Sequence, residues 1–495
     1  MSNSRPRPFA ALVALTLLGQ FMLLAYEIAL TRRFGTTADA DVLALTFIIA
    51  FALANEVAGW IGVLLIPHYL RIGAREGWGA VGGVLSAVFL ATMLATGGVA
   101  ICTIAVAPGL AFLAIGRAGA AGLLRLFSPL IVLLPAAAVL ANALQARERF
   151  ALAALRPLMW YGAAFIAVLF ASDAVGPAAI PLGMTVGLTL YIFALWVATR
   201  HFMRRTTAAA WSQVRSLMPV LVPLVAMSVA NYLQVLVERG LAGHLATGSL
   251  AALTYAFRLV NAPITLLVLT AATILFPVMS AQAVREGPSG MGELAGRALR
   301  ISVVLTVPGA GLLMAYAEPV VRVIFERGAF TPESSRLTGL ALFYYAPALV
   351  GLTALQLLIR AYWALRAIGG LARIQIGAAV FGVVAMVVLT SAIGFRGLPI
   401  AVSLTSLVHS AALLLGLRRE IPGFVLGPFL ALTGRVCTAA TVATGVAITA
   451  RWLVNGPFFQ LATGLPIGAL VYLALIGRMA PLAWRETRRL IALRS

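Results

Sequence analysis

The chain has 495 residues, of which 62% are hydrophobic and only 10% charged. So few charges cannot furnish a water-soluble shell at any domain count, and the composition is that of a polytopic membrane protein. The net charge of +21 would suggest nucleic acid in a soluble protein. Here the basic residues are all Arg and concentrate in short connections between apolar runs, which is a topological signal, so no nucleic-acid partner is expected.

An apolar run of about 20 residues spans a hydrocarbon core of about 30 Å, and such runs recur along the whole chain. The first, FAALVALTLLGQFMLLAYEIAL at 9–30, is too long for a signal-peptide core and lacks a small-residue cleavage site, so it is expected as a retained helix. It carries Gln20 and Glu27, two helical turns apart on one face. The second span, 42–68, holds Asn55 and Glu56 near its midpoint. Spans at 79–106, 121–144, 151–172 and 176–199 hold no comparable cluster of intramembrane charge. In the seventh, 217–240, Asn231, Gln234 and Glu238 are spaced i, i+3 and i+7 as one polar stripe, with Arg239 beside its end. In the eighth, 250–280, Arg258 and Asn261 lie three apart. Six more spans follow, at 298–316, 337–362, 368–392, 397–417, 429–452 and 459–480, making fourteen. With Arg5 and Arg7 on the cytoplasmic side, the excess of loop Arg also falls there, which places both termini inside.

Two interrupted apolar segments, APGLAFLAIGRAG at 107–119 and AEPVVRVIFERGAF at 317–330, occupy matching places along the chain and suggest parallel six-helix halves. The expected division is 1–205 and 206–420 for the two lobes and 421–495 for a C-terminal helix pair.

An ionisable group near the bilayer centre costs at least about 2.5 kcal/mol on insertion scales, so a retained one faces a partner or a wet cavity. Glu56, Glu238, Arg239 and Arg258 therefore have two readings. They neutralise one another and fix helix packing, or their four helices enclose a hydrated, partly cationic cavity. The cavity is favoured because polar stripes on separate helices need a common wet space. Cys102 and Cys437 lie in apolar runs and are expected as packing residues, His244 as an interfacial loop residue and His409 as a packed helix residue. No metal-ligand spacing, nucleophile constellation or phosphate-cradling Gly loop is present in the sequence, so neither an enzyme nor a cofactor is expected.

The stretch ERGLAGHLATGSLAALTYAFRLVNAPITLLVLTAATILFPVMSAQA from 238 resembles the seventh and eighth helices of the MurJ (MviN) family. These are the lipid II flippases of the multidrug/oligosaccharidyl-lipid/polysaccharide exporter superfamily. FERGAFTPESSRLTGLALFYYAPALVG at 325–351, LLRLFSPLIVLLPAAAVLANALQARERF at 123–150 and RRFGTTADAD at 32–41 resemble its segment into the tenth helix, its fourth helix and its first periplasmic connection. The resemblance implies two six-helix lobes and two C-terminal helices around a central hydrated cavity. It implies alternating-access movement of an undecaprenyl-pyrophosphate-linked peptidoglycan precursor across the bacterial inner membrane, with cell-wall synthase proteins as further partners. Arg258 matches the family's cavity Arg and Asp41 the acidic residue after the first turn. A gate is expected where Glu238 or Asp41 pairs with Arg239, Arg32 or Arg33, with Gly240, Gly243, Gly248 and Ala251 allowing a tight turn and close helix approach.

The departures are in the charge. Where the family carries arginines on its first two helices this chain has Gln20, Tyr26, Leu53 and Ala54, although Glu27, Gly59 and Pro67 match. This admits another polyprenyl-linked glycan of exopolysaccharide or O-antigen type, or phosphate contacts supplied by Arg239, Arg32 and Arg33 instead; a non-transporting scaffold of an envelope synthase and a cation-coupled drug exporter using Glu56 are further readings. The expected binding set is Arg258, Arg239, Glu238, Asn231, Gln234, Glu56, Asn55, Gln20, Glu27 and Asn261.

Overall fold

The computed structural model describes residues 6–114, 119–147, 149–265, 287–365, 367–421, 426–481 and 484. Among them every regular element is helical. Among the described residues ten helices are long and apolar enough to cross a membrane, or eleven if the bent pair Pro332–Tyr345 and Ala348–Ala364 forms one span. One of these stretches, Gly369–Glu420, contains two helices. The second half of the expected eighth span, 266–280, lies outside the described residues, and a total of fourteen is not reached among the rest.

The chain divides into two units, 1–251 with 327–330 and 252–326 with 331–495. The first contains α1 (Pro6–Phe34), α2 (Ala38–Glu76), α3 (Trp78–Ala114), α4 (Ala120–Phe127) and α5 (Pro129–Ala146), then α6 (Phe150–Ala154), α7 (Arg156–Phe170), α8 (Ser172–Val175), α9 (Ala179–Thr199), α10 (Ala208–Arg215) and α11 (Met218–Gly243). A helix α12 at 249–265 begins in this unit and continues into the second.

Small residues set the close approaches in the first unit. Gly183 and Gly187 form a small-xxx-small step on α9, and a Cβ at Gly187 would lie 2.5 Å from the Met159 carbonyl and 2.8 Å from the Ala163 methyl of α7. Gly19 of α1 meets Pro157 of α7 in the same way. An aromatic group then fills the space between α2, α4 and α7: Phe47 lies edge-on to Phe127 at 5.7 Å, and Phe51 meets Trp160 at 5.5 Å. The expected interruption at 107–119 begins later than read, because α3 continues through Pro108 to Ala114.

The second unit contains α13 (Gly287–Ala315), α14 (Ala317–Phe325), α15 (Pro332–Tyr345), α16 (Ala348–Ala364), α17 (Ile368–Ile393), α18 (Gly397–Glu420), α19 (Gly427–Trp452) and α20 (Pro457–Met479). The last two helices, read from sequence as an appendix, are bonded into it. The Tyr472 hydroxyl of α20 donates to the Val304 carbonyl of α13 at 2.7 Å, and the Tyr316 hydroxyl donates to the Ala447 carbonyl of α19.

The outer surfaces are apolar, with Leu94, Ile101 and Phe170 at 67%, 69% and 79% exposure. This corrects the reading of the cysteines, since Cys102 and Cys437 are both exposed. In a bilayer the solvent is as apolar as the core, so an apolar run does not tell an inward position from an outward one.

Candidate functional site

The polar residues of the first unit gather at four places. At the start of α2, Thr37 caps the helix by accepting the Ala40 amide, and Asp41 follows in its first turn. Asp41 is 3% exposed, and its carboxylate accepts the Gly248 amide at 2.7 Å and the Ala251 amide at 2.9 Å. It thus caps the N-terminus of α12, where free N–H groups and the helix dipole both favour an anion. Gly248 is required there: its φ is +89° and its α-carbon lies against Thr36. The tight turn is 244–248. Gly240 and Gly243 remain inside α11, and a Cβ at Gly240 would meet open space, so the turn and close approach assigned to that pair are corrected to Gly248.

The second place joins the α1–α2 connection to the segment 327–330. The Ala329 amide donates to the Arg32 carbonyl at 2.9 Å. Arg33 pairs with Asp173, a partner that the sequence reading did not name, and both side chains are largely exposed.

The third is the seam of α2 and α11. The Trp60 indole N–H donates to the Ser228 hydroxyl at 2.8 Å, and that hydroxyl donates to Glu56 Oε2 at 2.7 Å. One turn on, the Tyr232 hydroxyl donates to the Ile49 carbonyl at 3.0 Å. Trp60 also lines an apolar cavity of about 610 Å³ between α2, α3, α10 and α11. Asn55, beside Glu56, is exposed, while Asn231, Gln234 and Glu238 are half-buried along α11. Arg239 is 5% exposed, with a guanidinium nitrogen 3.8 Å from Glu238 Oε1. Glu27 is buried on α1 and Gln20 is half-buried there.

The fourth was not anticipated. A cavity of about 260 Å³ between α1, α2, α5, α7 and α9 carries Thr16, Asn142, Gln145 and Arg156 on its wall. The available signal was the stretch ANALQ, which places Asn142 and Gln145 three apart on one helical face, as Asn231 and Gln234 are.

In the second unit, Arg258 and Asn261 are half-buried on α12. The Asn261 amide turns back to the Phe257 carbonyl at 3.1 Å, and the Phe257 ring packs on Tyr345 at 5.4 Å. His244 is exposed at the end of α11, as expected, and His409 is half-buried on α18.

Long apolar helices that hold carboxylates, amides and guanidinium groups among them define a polytopic membrane protein of the transporter class. A family model described as "Lipid II flippase MurJ" matches residues 30–465. The chain belongs to the lipid II flippase MurJ family. It is 25% identical over 465 residues to a protein of Burkholderia cenocepacia named lipid II flippase MurJ, covering 88% of this chain and 89% of that one. A Vibrio cholerae protein named probable lipid II flippase MurJ is 26% identical over 247 residues, covering 50% of this chain and 46% of that one. The fold is similar to a solved lipid II flippase MurJ in an inward closed conformation, with TM-score 0.77 at 19% identity over 96% of this chain and 98% of that one. It is also similar to an inward-facing multidrug MATE transporter of the MOP superfamily, with TM-score 0.67 at 14% identity over 83% of this chain and 98% of that one.

Proposed function

We propose that the chain moves lipid II, the undecaprenyl-pyrophosphate-linked peptidoglycan precursor, from the cytoplasmic to the periplasmic leaflet of the bacterial inner membrane by alternating access. The observation that carries this reading is the family match over residues 30–465. It does not favour another polyprenyl-linked glycan or a scaffold role. The physical demand fits: a pyrophosphate and its sugars cannot cross hydrocarbon unaided, so the carrier supplies polar contacts while the lipid tail stays in the bilayer. The protein is a carrier and performs no covalent step on its cargo. Both termini lie in the cytoplasm, and cell-wall synthase proteins are its further partners. Residues 1–205 and 206–420 act as the lobes that rock, with 421–495 as the C-terminal helix pair.

Arg258 is the principal phosphate contact, assisted by Arg239, Glu238, Asn231, Gln234, Glu56, Asn55, Gln20, Glu27 and Asn261, with Asp41, Arg32 and Arg33 at the gate. The test is rescue of a flippase-depleted cell with the full chain carrying Arg258→Ala or Arg258→Lys. Arg258→Ala abolishes rescue at unchanged expression. Arg258→Lys rescues partly, because a point charge remains without the bidentate fork. Full rescue by Arg258→Ala removes Arg258 from the mechanism.

A further inference from the structure

The 260 Å³ cavity of the first unit is walled mainly by alanine methyls of α2, α5 and α6, which leave room that larger side chains would fill. Its polar wall includes two side-chain amides and a guanidinium, all able to donate. Asn142 is 7% exposed, and its side-chain amide makes no hydrogen bond among the described residues. Gln145 stands one turn further along α5 on the same face. Arg156, the first residue of α7, brings a guanidinium, and no carboxylate is among the described residues lining the cavity. Tyr191 on the far wall is already committed, its hydroxyl donating to the Ala153 carbonyl at 3.1 Å.

Two deficits therefore meet in one small space. The Asn142 amide, facing the cavity, keeps hydrogen-bonding capacity that no described residue uses. The half-buried Arg156 guanidinium has no carboxylate partner among the described residues and can take an anion. A tetrahedral oxyanion answers both, since it accepts the two parallel N–H groups of Arg156 and still has oxygens for the amides of Asn142 and Gln145. An apolar ligand would satisfy neither, and a cation would be repelled.

We propose that Arg156, Asn142 and Gln145 form a phosphate-binding subsite. Resting on the function proposed above, its occupant is the pyrophosphate of the lipid-linked substrate, held at a station distinct from Arg258.

The test uses the full chain in phosphatidylcholine nanodiscs, titrated separately with undecaprenyl pyrophosphate, inorganic pyrophosphate and phosphatidylglycerol. Undecaprenyl pyrophosphate should bind the unaltered chain, and loss of one charge-assisted pair should weaken it about tenfold in Arg156→Gln. Asn142→Leu should weaken it by a smaller factor, and Arg156→Lys should fall between Arg156→Gln and the unaltered chain. If inorganic pyrophosphate binds as tightly and with the same dependence on Arg156, the phosphate chemistry stands and the lipid-linked occupant is overturned. Equal binding of phosphatidylglycerol, with that same dependence, likewise assigns the site to bulk lipid. Unchanged binding of all three probes by Arg156→Gln and Asn142→Leu overturns the subsite. Should Arg156→Gln not assemble as a monodisperse particle, Arg156→Lys and Gln145→Leu decide the same question. The proposal and the transport reading fail separately. A chain that does not move lipid II in cells, yet loses pyrophosphate binding on Arg156→Gln, keeps the subsite and loses the function. A chain that rescues cells and ignores Arg156→Gln does the reverse.

Discussion

Glu56 and Arg156 are both ionisable side chains on helices of the first unit, and their surroundings differ in kind. The Glu56 carboxylate accepts from Ser228, whose oxygen accepts from Trp60, so α2 and α11 are joined by a chain in which each group has its partner. Arg156 shares its cavity with Asn142 and Gln145, and none of the three makes a side-chain hydrogen bond or ion pair among the described residues. A closed set of polar groups spends its binding capacity inside the protein and fixes packing. An open set keeps that capacity for a ligand, at a cost in stability of the empty protein.

That contrast can be broken by stability measurements in detergent, where closed sets should respond and the open one should not. The largest effect is expected at Asp41, which satisfies two backbone amides at the start of α12. Asp41→Ala leaves both unpaired and should cost about 3 kcal/mol, read as a lower apparent melting temperature. An unchanged transition would show that the cap is dispensable. Ser228→Ala should cost about 1–2 kcal/mol by stranding both the Trp60 indole and the Glu56 carboxylate. Combining it with Trp60→Phe should add little, because the two changes cut the same chain. Strict additivity would mean the three groups are not coupled.

Smaller effects lie on the surface and in the open cavity. Arg33→Ala removes an exposed pair with Asp173 and should change stability by only a few tenths of a kcal/mol, less still in high salt. Asn142→Leu breaks no bond and fills space, so it should be neutral or slightly stabilising, within about 0.5 kcal/mol. A loss of several kcal/mol there would show that Asn142 already serves the fold, and the distinction from Glu56 would collapse.

The helical plan was readable because a bilayer demands long apolar runs and internally bonded backbone, and both leave a plain mark in sequence. Asp41 was legible as a residue that matters, but its task was not. Its partners Gly248 and Ala251 lie 207 and 210 positions away, and nothing local distinguishes a carboxylate that caps another helix from one that pairs with a neighbouring Arg. Glu56 stood out for the same reason, whereas Ser228 and Trp60 did not, because small hydroxyls and indoles are common in spans and become informative only once paired. Arg156 was overlooked because an Arg at a span boundary carries the topological signal by default. Only the cavity that α7 shares with α5 and α9 shows that this one also faces an interior space. Cys102 and Cys437 sit in apolar runs yet face outward, because apolar sequence does not mean an inward position where the outer solvent is lipid.

The most direct test of the transport assignment is lipid II exposure in a cell depleted of its own flippase and supplied with this chain. Access of lipid II to a membrane-impermeant probe in the periplasm is scored against the unsupplied cell. The account predicts that the full chain restores access and that Arg258→Ala, made at the same level, does not. Membrane-inserted chain that leaves lipid II inaccessible would contradict it.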